Sequence, residues 1–503
     1  MSTTPETLQE PPDEQKIESG SATTDERPPV SLDPSEEPVY WSTAKKWLAV
    51  GVISAGSFCV TFASSMASFT EAGMAKEFHV SHEPTILSIS LFVLGLGLGP
   101  LITGAPVFRG AFLETIFLPR TNVVAQVYGR SIIYRVSYIL LVIIAFPIAF
   151  APNLAVFLVF RFLQGMAGAS FLSVAGGSVA DMFVGPAVPT PMAVYTISPF
   201  MGPVFGPAIG GFINQNLYWR WTYRISLIWM FCQMVAIFLF VPESYAPVLM
   251  QWKAKRLRKE TGDNSHWAPL DRREASVTYM LYLSCTVPFK LLLFDRMALL
   301  LDTWTSVLLG ILYLFFQAFP IIFEDIHHFN VQMTGLSFLG IGIGMAIGLA
   351  TQPWWNRRTA RIAAEHGGKA PPETLLVMGQ VGGILVPLSM YIVAFTTYAQ
   401  VHWIAPIIAS VAFGTGMMFA FTTTFTYLVV AYRPIAASAM AANSAMRSTF
   451  AAAFPLFAGA MYKKLGTVGA TALLAGLMTV LAPLPFIFYK VGPRLREKSR
   501  FAV

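Results

Sequence analysis

The sequence predicts an all-α integral membrane protein with twelve transmembrane helices in two six-helix halves. Of the 503 residues, 55% are hydrophobic and only 12% are charged, whereas charged residues form about a quarter of soluble domains. The apolar residues fall into long runs, and one polar stretch divides these runs into two sets of six. At about 20 residues per bilayer-spanning helix, the hydrophobic content fills on the order of twelve spans.

The first segment, residues 1–44, is expected to be a disordered acidic tail in the cytosol. It carries ten acidic side chains against Lys16 and Arg27 up to Thr43, and it holds too few large apolar residues to bury a core. Its acidic and polar start is unlike a secretory signal, which begins with basic residues and a short apolar run. The first true span is therefore expected to set the orientation.

The apolar runs then follow in order through two halves. The N-terminal half, 45–242, contains six runs at about 47–69, 85–105, 132–150, 154–180, 191–213 and 223–242. A charged cytosolic connector, 243–290, precedes the C-terminal half, 291–490, with runs at about 299–322, 333–352, 375–396, 402–430, 436–459 and 466–489. Residues 491–503 form a cytosolic tail. Two sets of six spans around a connector predict a two-halved bundle.

The positions of the basic residues support this count of spans. With the N-terminus inside, the inner segments collect 27 Lys and Arg residues, and the outer loops hold five. Cytoplasmic loops carry such an excess in membrane proteins. Eleven or thirteen spans would disrupt the partition, so twelve spans with both termini in the cytosol are predicted. The two remaining basic residues, Arg161 and Arg447, fall inside predicted spans.

Arg161 is the first candidate for function because an arginine at membrane depth is costly unless it faces protein or water. In the string VFRFLQGMAGAS, Arg161, Gln164 and Gly165 share one helix face. The following small residues would let another helix approach closely. Arg161 and Gln164 are therefore predicted to act in proton coupling or gating. The alternative is a structural arginine bonded to carbonyls of a neighbouring helix.

The fifth run contains the string GPVFGPAIGG from Gly202 to Gly211. Four glycines and two prolines weaken and bend a helix and leave a groove almost free of side chains. Interruptions of this kind often mark the moving helix of a transporter. Tight packing without a role in movement is the alternative.

With these strings the sequence resembles the major facilitator superfamily, and within it the fungal twelve-span drug:proton antiporter family that also contains polyamine exporters. RFLQG resembles the fourth-span motif, and the fifth span is similar to the antiporter motif. Further similar strings are PESYAPVLM after the sixth span and FYKVGPRLREKS near the end. The resemblance covers about residues 40 to 502 and implies the major facilitator fold. The residues that match the antiporter motif are Gly202, Gly206, Pro207, Gly210 and Gly211.

One segment departs from the family pattern. An atypical insertion of about 105–125 separates the second span from VYGRSIIYR. The string APVFRGAFLETIFLPRTNVVAQ runs from Ala105 to Gln126. Gln126 stands where the family has an acid that forms a cytoplasmic latch with the following Gly-Arg. Gly129 and Arg130 remain, so we assign them to gating. The stretch is either a real insertion with an altered latch or a translated intron.

The resemblance also implies that spans one, four, seven and ten line a central substrate cavity. An aromatic cavity with scattered polar groups suits amphipathic and often cationic organic molecules. The neutral side chain of Gln317 argues mildly against a polyamine, because relatives that move polycations often carry an acid near that position. The predicted substrate-binding residues are Cys59, Phe62, Tyr313, Phe316, Gln317, Phe421, Tyr427 and Asn443.

Several acidic and histidine residues are weaker candidates. Asp181 closes the fourth span and is assigned to coupling, with pairing to a basic loop as the alternative. Asp302 is expected to be neutralised by Arg296 on the same helix. His327 and His328 follow Glu324 and Asp325 in an outer loop, and His79 and His82 lie in the first outer loop. All of these side chains are expected to be solvated, so no metal site is predicted.

The resemblance to the antiporter family implies a secondary active transporter that exports a small organic molecule, such as a drug, toxin or secondary metabolite, in exchange for protons. The sequence contains no G-x-x-x-x-G-K-[ST] loop to hold a nucleotide, so an ion gradient is the expected driving force. A polyamine exporter, a proton-coupled nutrient uptake symporter and a non-transporting membrane sensor are alternatives. No convergent nucleophile, base or metal set indicates an enzyme.

The expected partners are a small organic substrate, protons and the lipid bilayer. No cofactor is expected, and nucleic-acid binding is not expected because the basic excess lies at membrane edges. The three cysteines are scattered without redox or metal spacing. A monomer in the plasma membrane is predicted, with the vacuolar membrane as the alternative.

Overall fold

The structure, a computed structural model, describes residues 29–102, 129–184, 187–263, 265–272, 277–365 and 371–498. The stretch of about 105–125 and Gln126 lie outside the described residues, as does most of the acidic tail. The described part of the first half forms seven α-helices. They are α1 (Thr43–Ser65), α2 (Glu71–Phe78), α3 (His82–Ile102), α4 (Arg130–Ala149), α5 (Leu154–Met182), α6 (Pro189–Asn216) and α7 (Arg220–Phe240).

The connector and the second half contain ten further helices in the described ranges. After Phe319 the chain continues as a π-helix over Pro320–Ile326. The helices are α8 (Ala246–Thr261), α9 (Val277–Phe294), α10 (Arg296–Phe319), α11 (Val331–Ser337), α12 (Leu339–Ala350), α13 (Gln352–Glu365), α14 (Leu376–Thr396), α15 (Ile404–Ala431), α16 (Ala436–Leu481) and α17 (Leu484–Lys498).

Eleven helical stretches in the described residues are long and apolar enough to cross a membrane. The last of them, Ser438–Glu497, has 60 residues, and a helix of that length would extend roughly 90 Å, about three times the hydrocarbon thickness. Gly466 interrupts it with a left-handed φ of 69°, so this stretch contains two crossings. The fold class predicted from the sequence is confirmed, and the architecture is consistent with twelve spans.

Side chains near the helix starts bind the free backbone N–H groups. The Asn153 side chain accepts a hydrogen bond from the Val156 N–H at 2.9 Å, and the Asp295 carboxylate accepts from Met297 and Ala298 at 3.0 Å each. Such caps satisfy donors that have no partner inside the helix. They mark the beginnings of α5 and α10.

Several buried polar residues of the first span donate hydrogen bonds to carbonyls of their own helix. Ser57 donates to the Ile53 carbonyl at 3.1 Å and Ser64 donates to the Thr61 carbonyl at 2.6 Å. Hydroxyl groups can bond in this way to the preceding turn of their own helix. The helix can therefore bring polar atoms into the interior of the bundle, where they can bond to other helices as well.

Large apolar side chains are exposed on the outer surface of the bundle, as expected for a chain solvated by lipid. Examples from both halves are Ile143, Phe231, Leu239, Ile384, Phe395, Leu473 and Val480. Because the helices satisfy their own backbone groups, this surface needs no polar partner.

The two halves pack against each other mainly through helices α3 and α6 of the first half. Helix α3 lies against α16, and α6 lies against α11 and α12. We call the end of the bundle where α7 leads into α8 the connector end, and the end that carries α2 and the start of α11 the far end. At the far end the backbones of α6 and α11 approach so closely that a Cβ on Gly335 would lie 2.5 Å from the Pro207 carbonyl oxygen.

The connector forms two helices, where the sequence indicated only a polar stretch. Helix α8 binds the end of the acidic tail, because the Lys253 ammonium lies 2.6 Å from the Asp33 carboxylate and 2.8 Å from that of Glu36. Helix α9 packs against α10 and α16. Its sequence VTYMLYLSCTVPFKLLLF is apolar, which is why it joins the bundle.

Candidate functional site

Arg161 lies in the middle of the first half and is 1% exposed. Its guanidinium donates at 2.9 Å to the carbonyl of Ser88 on α3 and at 2.9 Å to that of Ala63 on α1. It also donates to the Gln164 side chain at 3.2 Å, which is the neighbour that the three-residue spacing predicted. These bonds tie three helices of one half together and compensate much of the cost of a buried charge.

Aromatic rings surround the same guanidinium. Its central carbon lies 4.5 Å from the ring centroid of Phe92 and 5.7 Å from that of Tyr223. Cation–π contacts of this kind are stronger in a dry environment than at a surface. The hydrogen bonds of Arg161 to carbonyls of neighbouring helices fit a structural role, and the side chain lies in the interior of the first half. Its role in proton coupling stays a prediction.

The string from Gly202 to Gly211 forms part of one continuous helix, α6. A Cβ on Gly202 would lie 2.5 Å from the Phe62 backbone nitrogen, and one on Gly206 would lie 2.9 Å from the Met66 nitrogen. Gly210 also faces Met66. Three of the motif glycines thus let α6 lie directly against the end of α1, and the Ser65 hydroxyl donates to the Gly202 carbonyl at 3.1 Å.

The remaining motif positions face the other half. A Cβ on Gly211 would lie 2.8 Å from the Val331 carbonyl oxygen of α11, and Pro207 contacts Gly335. The same short string therefore packs on one side within its own half and on the other side across the boundary between halves. A helix in this position can carry a movement from one half to the other.

Gly129 and Arg130 begin α4 at the connector end, beside two carboxylates. The Arg130 guanidinium lies 2.6 Å from the Asp181 carboxylate, so Asp181 pairs with a basic group at the membrane edge. The Glu243 carboxylate accepts from the backbone N–H groups of Arg130 at 3.0 Å and Ser131 at 2.9 Å. Gly129 has a φ of 101° and a Cβ there would lie 2.3 Å from Glu243, so glycine is required.

Glu243 was not identified as a functional residue from the sequence. It belongs to the string PESYAPVLM, which resembles the family, but no role for its glutamate was predicted from the sequence. Its carboxylate also accepts from the N–H groups of Ser244 at 3.0 Å and Tyr245 at 2.9 Å. One side chain therefore joins the end of the first half's last helix to the start of α4.

Aromatic side chains from both halves meet near the middle of the bundle. Phe200 of α6 stacks on Phe421 of α15 with ring centroids 4.9 Å apart. On the side of the first half, Phe62 contacts Trp229 at 4.9 Å. Of these residues the sequence predicted Phe62 and Phe421, and it missed Phe200 and Trp229 because a lone aromatic gives no signal of which face it occupies.

A charged group in the second half lies beside these rings. The Asn443 amide donates to the Asp302 carboxylate at 2.9 Å and to Thr305 at 2.9 Å. Arg447, one turn further along α16, lies with its guanidinium carbon 4.9 Å from the Phe425 ring centroid. In the part of the chain that the structure describes, one Asp302 oxygen and two Arg447 nitrogens are buried without a hydrogen-bond partner.

Arg447 was placed inside a span by the charge count but was not selected as a site residue. Buried polar atoms without partners are rare in proteins and call for a water or ligand to bind them. Asp302 was expected to be neutralised by Arg296; the structure instead bonds it to Asn443, as described above. Depth in the membrane is the signal that could have identified Arg447.

Tyr313, Phe316 and Gln317 lie on α10 toward the far end. The Tyr313 hydroxyl lies 2.8 Å from that of Ser64 on α1, so it joins the halves, whereas Phe316 contacts Phe338 at 5.5 Å within its own half. The Gln317 amide donates to the Glu71 carboxylate at 2.8 Å. The argument from the neutrality of Gln317 thus missed an acid that another helix supplies.

Two predicted substrate residues lie away from this group. Cys59 is 1% exposed and faces Tyr138 of α4 inside the first half. The Tyr427 hydroxyl lies 3.3 Å from the sulfur of Met297, near the connector end. Helical spacing identified their shared faces, but it does not specify depth along the bundle or which neighbour covers a face.

The fold and the buried charges define a membrane transporter built from two packed halves. The family model of the Major Facilitator Superfamily matches residues 53–454. The chain belongs to the Major Facilitator Superfamily, which confirms the resemblance seen in the sequence.

Relatives with similar sequences include fungal transporters. The chain is 48% identical over 384 residues to "Efflux pump atB" of Aspergillus terreus, covering 75% of this chain and 81% of that protein. It is 38% identical over 472 residues to "Probable drug/proton antiporter YHK8" of Saccharomyces cerevisiae, covering 93% and 88%. The resemblance to fungal drug:proton antiporters is therefore confirmed at the level of sequence.

A solved structure shows the same fold at low sequence identity. The xylose transporter XylE from E. coli, in a partially occluded inward open conformation, has a TM-score of 0.58 and 14% identity over 88% of this chain and 99% of that chain. At this identity the likeness establishes the fold and carries no information about substrate.

Proposed function

We propose that this protein is a secondary active transporter that exports small amphipathic organic molecules in exchange for protons. The drug, toxin or secondary metabolite moves through a site between the halves as they rock around it. Relatives named as an efflux pump and a drug/proton antiporter support the direction and the coupling. The remaining argument comes from the residues at the boundary between the halves.

The observation that carries the proposal is the contact of aromatic rings across that boundary beside buried charge. The stacked pair Phe200 and Phe421 is formed by one ring from each half, so movement of the halves must separate it. Ring faces bind apolar and cationic groups. Asp302 and Arg447 supply charged atoms next to these rings, and a polar group of a substrate could bind to them.

The gating role proposed for the connector end rests on Arg130, Asp181 and Glu243. The ion pair and the cap hold α4, α5 and the start of α8 together. When the halves rock, such charge contacts can break and form as a unit. Gln164 and Arg161 would carry the coupling within the first half.

The proposed orientation places the connector end in the cytosol. It follows from the basic residues of α8 and of the C-terminal segment, which match the excess expected on the cytosolic side. Both termini are then cytosolic, and the halves 45–242 and 291–490 are joined by a cytosolic connector. We assign the protein to the plasma membrane as a monomer.

The proposal is tested with purified full-length protein in proteoliposomes, using the fluorescent lipophilic cation rhodamine 6G as the probe. An imposed pH difference should drive accumulation of the dye, and the Arg161→Ala variant at equal protein content should lose it. Dye movement that ignores the pH difference would refute proton exchange. In intact cells, overexpression should lower dye accumulation; a rise would indicate uptake instead.

The cargo is identified by comparing extracellular metabolites of deletion and overexpressing strains. A compound that accumulates outside the overexpressing strain and is depleted outside the deletion strain is the expected result. Polyamines are included in the comparison, because their accumulation outside the overexpressing strain would indicate that the substrate is a polycation and not an amphipathic molecule.

A further inference from the structure

Glu71 is a buried carboxylate that joins the two halves at the far end. It opens α2 in the first half, and its side chain is only 3% exposed. The Gln317 amide of the second half donates to its two oxygens at 2.8 and 3.1 Å. This contact can exist only while the far end is closed, because the two residues belong to different halves.

One histidine connects this carboxylate to solvent. The His82 Nε2 lies 3.2 Å from the Glu71 carboxylate, and the His82 side chain is 55% exposed. An imidazole can take up a proton on one nitrogen and release one from the other. A proton from the medium can therefore reach Glu71 through His82 while the far end stays closed.

Few other titratable groups face Glu71 from the helices around it. Tyr223 of α7 interacts with it electrostatically, and the Tyr223 hydroxyl lies 3.0 Å from that of Thr70, the residue before Glu71. Helix α3 contributes His82, and Glu83 lies beside it. Helix α10 contributes the neutral Gln317. The positive charge of Arg161 lies beyond Tyr223 rather than at the carboxylate.

Burial favours the neutral form of this carboxyl. Loss of water raises the pKa of Glu71 from 4.5 to about 8, and the hydrogen bond from Gln317 opposes part of that rise. When the far end opens and water reaches the side chain, the ordinary pKa returns. Closure of the far end is therefore accompanied by binding of a proton at neutral pH.

We propose that Glu71 is a proton-binding site at the far end, that His82 carries the proton to it, and that proton binding there closes the far end. The inference deepens the proposed proton exchange and rests on it for the direction of proton flow. An exporter that has released its cargo outside must return empty to the inward-open state. If Glu71 takes up an external proton as the far end closes, the return to the inward-open state requires that proton.

The sign of the pH dependence follows from linkage. The closed state binds the extra proton, so closure is favoured as the pH falls and loses that advantage as the pH rises through about 8. Between the two pKa values, one bound proton changes the closed-to-open ratio about tenfold for each pH unit. Below about pH 4.5 both states are protonated and the ratio becomes constant.

The experiment measures the distance between spin labels on the far ends of the two halves, in lipid nanodiscs and without substrate. The labels are attached at Lys76→Cys on α2 and Gln400→Cys in the loop before α15, which are both exposed. The native cysteines Cys59, Cys232 and Cys285 are replaced by alanine beforehand. The protein is otherwise the full chain.

The wild-type background should shift from the long to the short distance as the pH falls from 8 to 5. Glu71→Gln keeps the shape and imitates the protonated form, so its far end should stay closed and the pH slope should vanish. Glu83→Gln removes an exposed acid from the first turn of α3 at the same end of the bundle and should behave as wild type. A Glu71→Gln protein with the wild-type slope would overturn the proposal.

Two further variants test the contacts of Glu71. Gln317→Leu removes the donor that stabilises the carboxylate in the closed state, so the closed population at pH 8 and above should fall and the pH-dependent range should extend to higher pH; an unchanged closed population at high pH contradicts the proposal even if Glu71→Gln fails to fold. His82→Asn should leave the equilibrium distances near wild type but slow the response to a pH jump. An unchanged rate would show that the proton reaches Glu71 without His82.

The distance experiment and the transport assay can fail separately. The far end could close with falling pH through Glu71 while dye transport does not respond to a pH difference. This result would support the closure site and refute proton exchange. Proton-driven dye transport with an unchanged Glu71→Gln slope would reject only the closure site.

Discussion

Replacement of Gly335 by alanine should prevent normal closure of the far end. In the structure a Cβ at this position would lie 2.5 Å from the Pro207 carbonyl oxygen, 3.2 Å from its carbon and 3.3 Å from the Ala208 Cα. All three atoms belong to the backbone of α6 in the other half. A clash with backbone cannot be relieved by a change of rotamer, so α6 and α11 must move apart.

The expected magnitude follows from the cost of overpacking. Added methyl groups in well-packed interiors cost about 1–3 kcal/mol. Because the clash exists only when the halves meet at the far end, this cost falls on the closed state alone. The closed-to-open ratio should therefore fall about 5- to 150-fold.

The assay for Gly335→Ala is the spin-label distance between α2 and the loop before α15, measured at pH 6. The population with the long distance should increase, and the transport rate of rhodamine 6G should decrease. Gly459→Ala is the matched control, because a Cβ there would meet nothing within 4 Å. A distance distribution identical to that of the control would refute the packing argument for the far end.

Three further variants test other parts of the site. Arg161→Lys loses at least one charge-assisted bond to a carbonyl, worth about 1.5–3 kcal/mol, so the transport rate per protein should fall at least about tenfold; a wild-type rate contradicts this. Glu243→Gln should lower the unfolding temperature of the purified protein by an amount equivalent to about 1–3 kcal/mol, against little change for the exposed Glu260→Gln. Phe421→Ala should raise the apparent KM for rhodamine 6G about 2- to 13-fold, whereas the lipid-exposed Phe457→Ala should not.

The spans could be predicted from the sequence because each one depends on local composition. A run such as 132–150 carries its own evidence of membrane insertion, and α4 occupies Arg130–Ala149. The motif glycines were found in the same way. Their partners on α1 and α11 could not be found, because contact between helices depends on how distant segments pack.

The contacts of single polar residues were harder to predict for the same reason. Gln317 appeared to be a neutral residue of a cavity wall, and its partner Glu71 precedes it by 246 residues. Arg447 was noted only as one of the two basic residues that fall inside predicted spans. Nothing in the local sequence states that Glu71 is buried, since an acid at the end of a span is usually solvated.

The two contacts at the far end act on one equilibrium in opposite ways when they are changed. Gly335→Ala makes the closed state less stable at every pH, whereas Glu71→Gln removes the need for a proton and stabilises closure at high pH. Gly335 faces Pro207 and Ala208, whereas Glu71 contacts Gln317 and His82. Because the two sites share none of these partners, their free energies should add in the double variant. At pH 8 the double variant should then lie between the two single variants in the spin-label distances. A double variant as open as Gly335→Ala alone would mean that Glu71 acts only after the helices have met, and the order of events at the far end would be packing first and proton binding second.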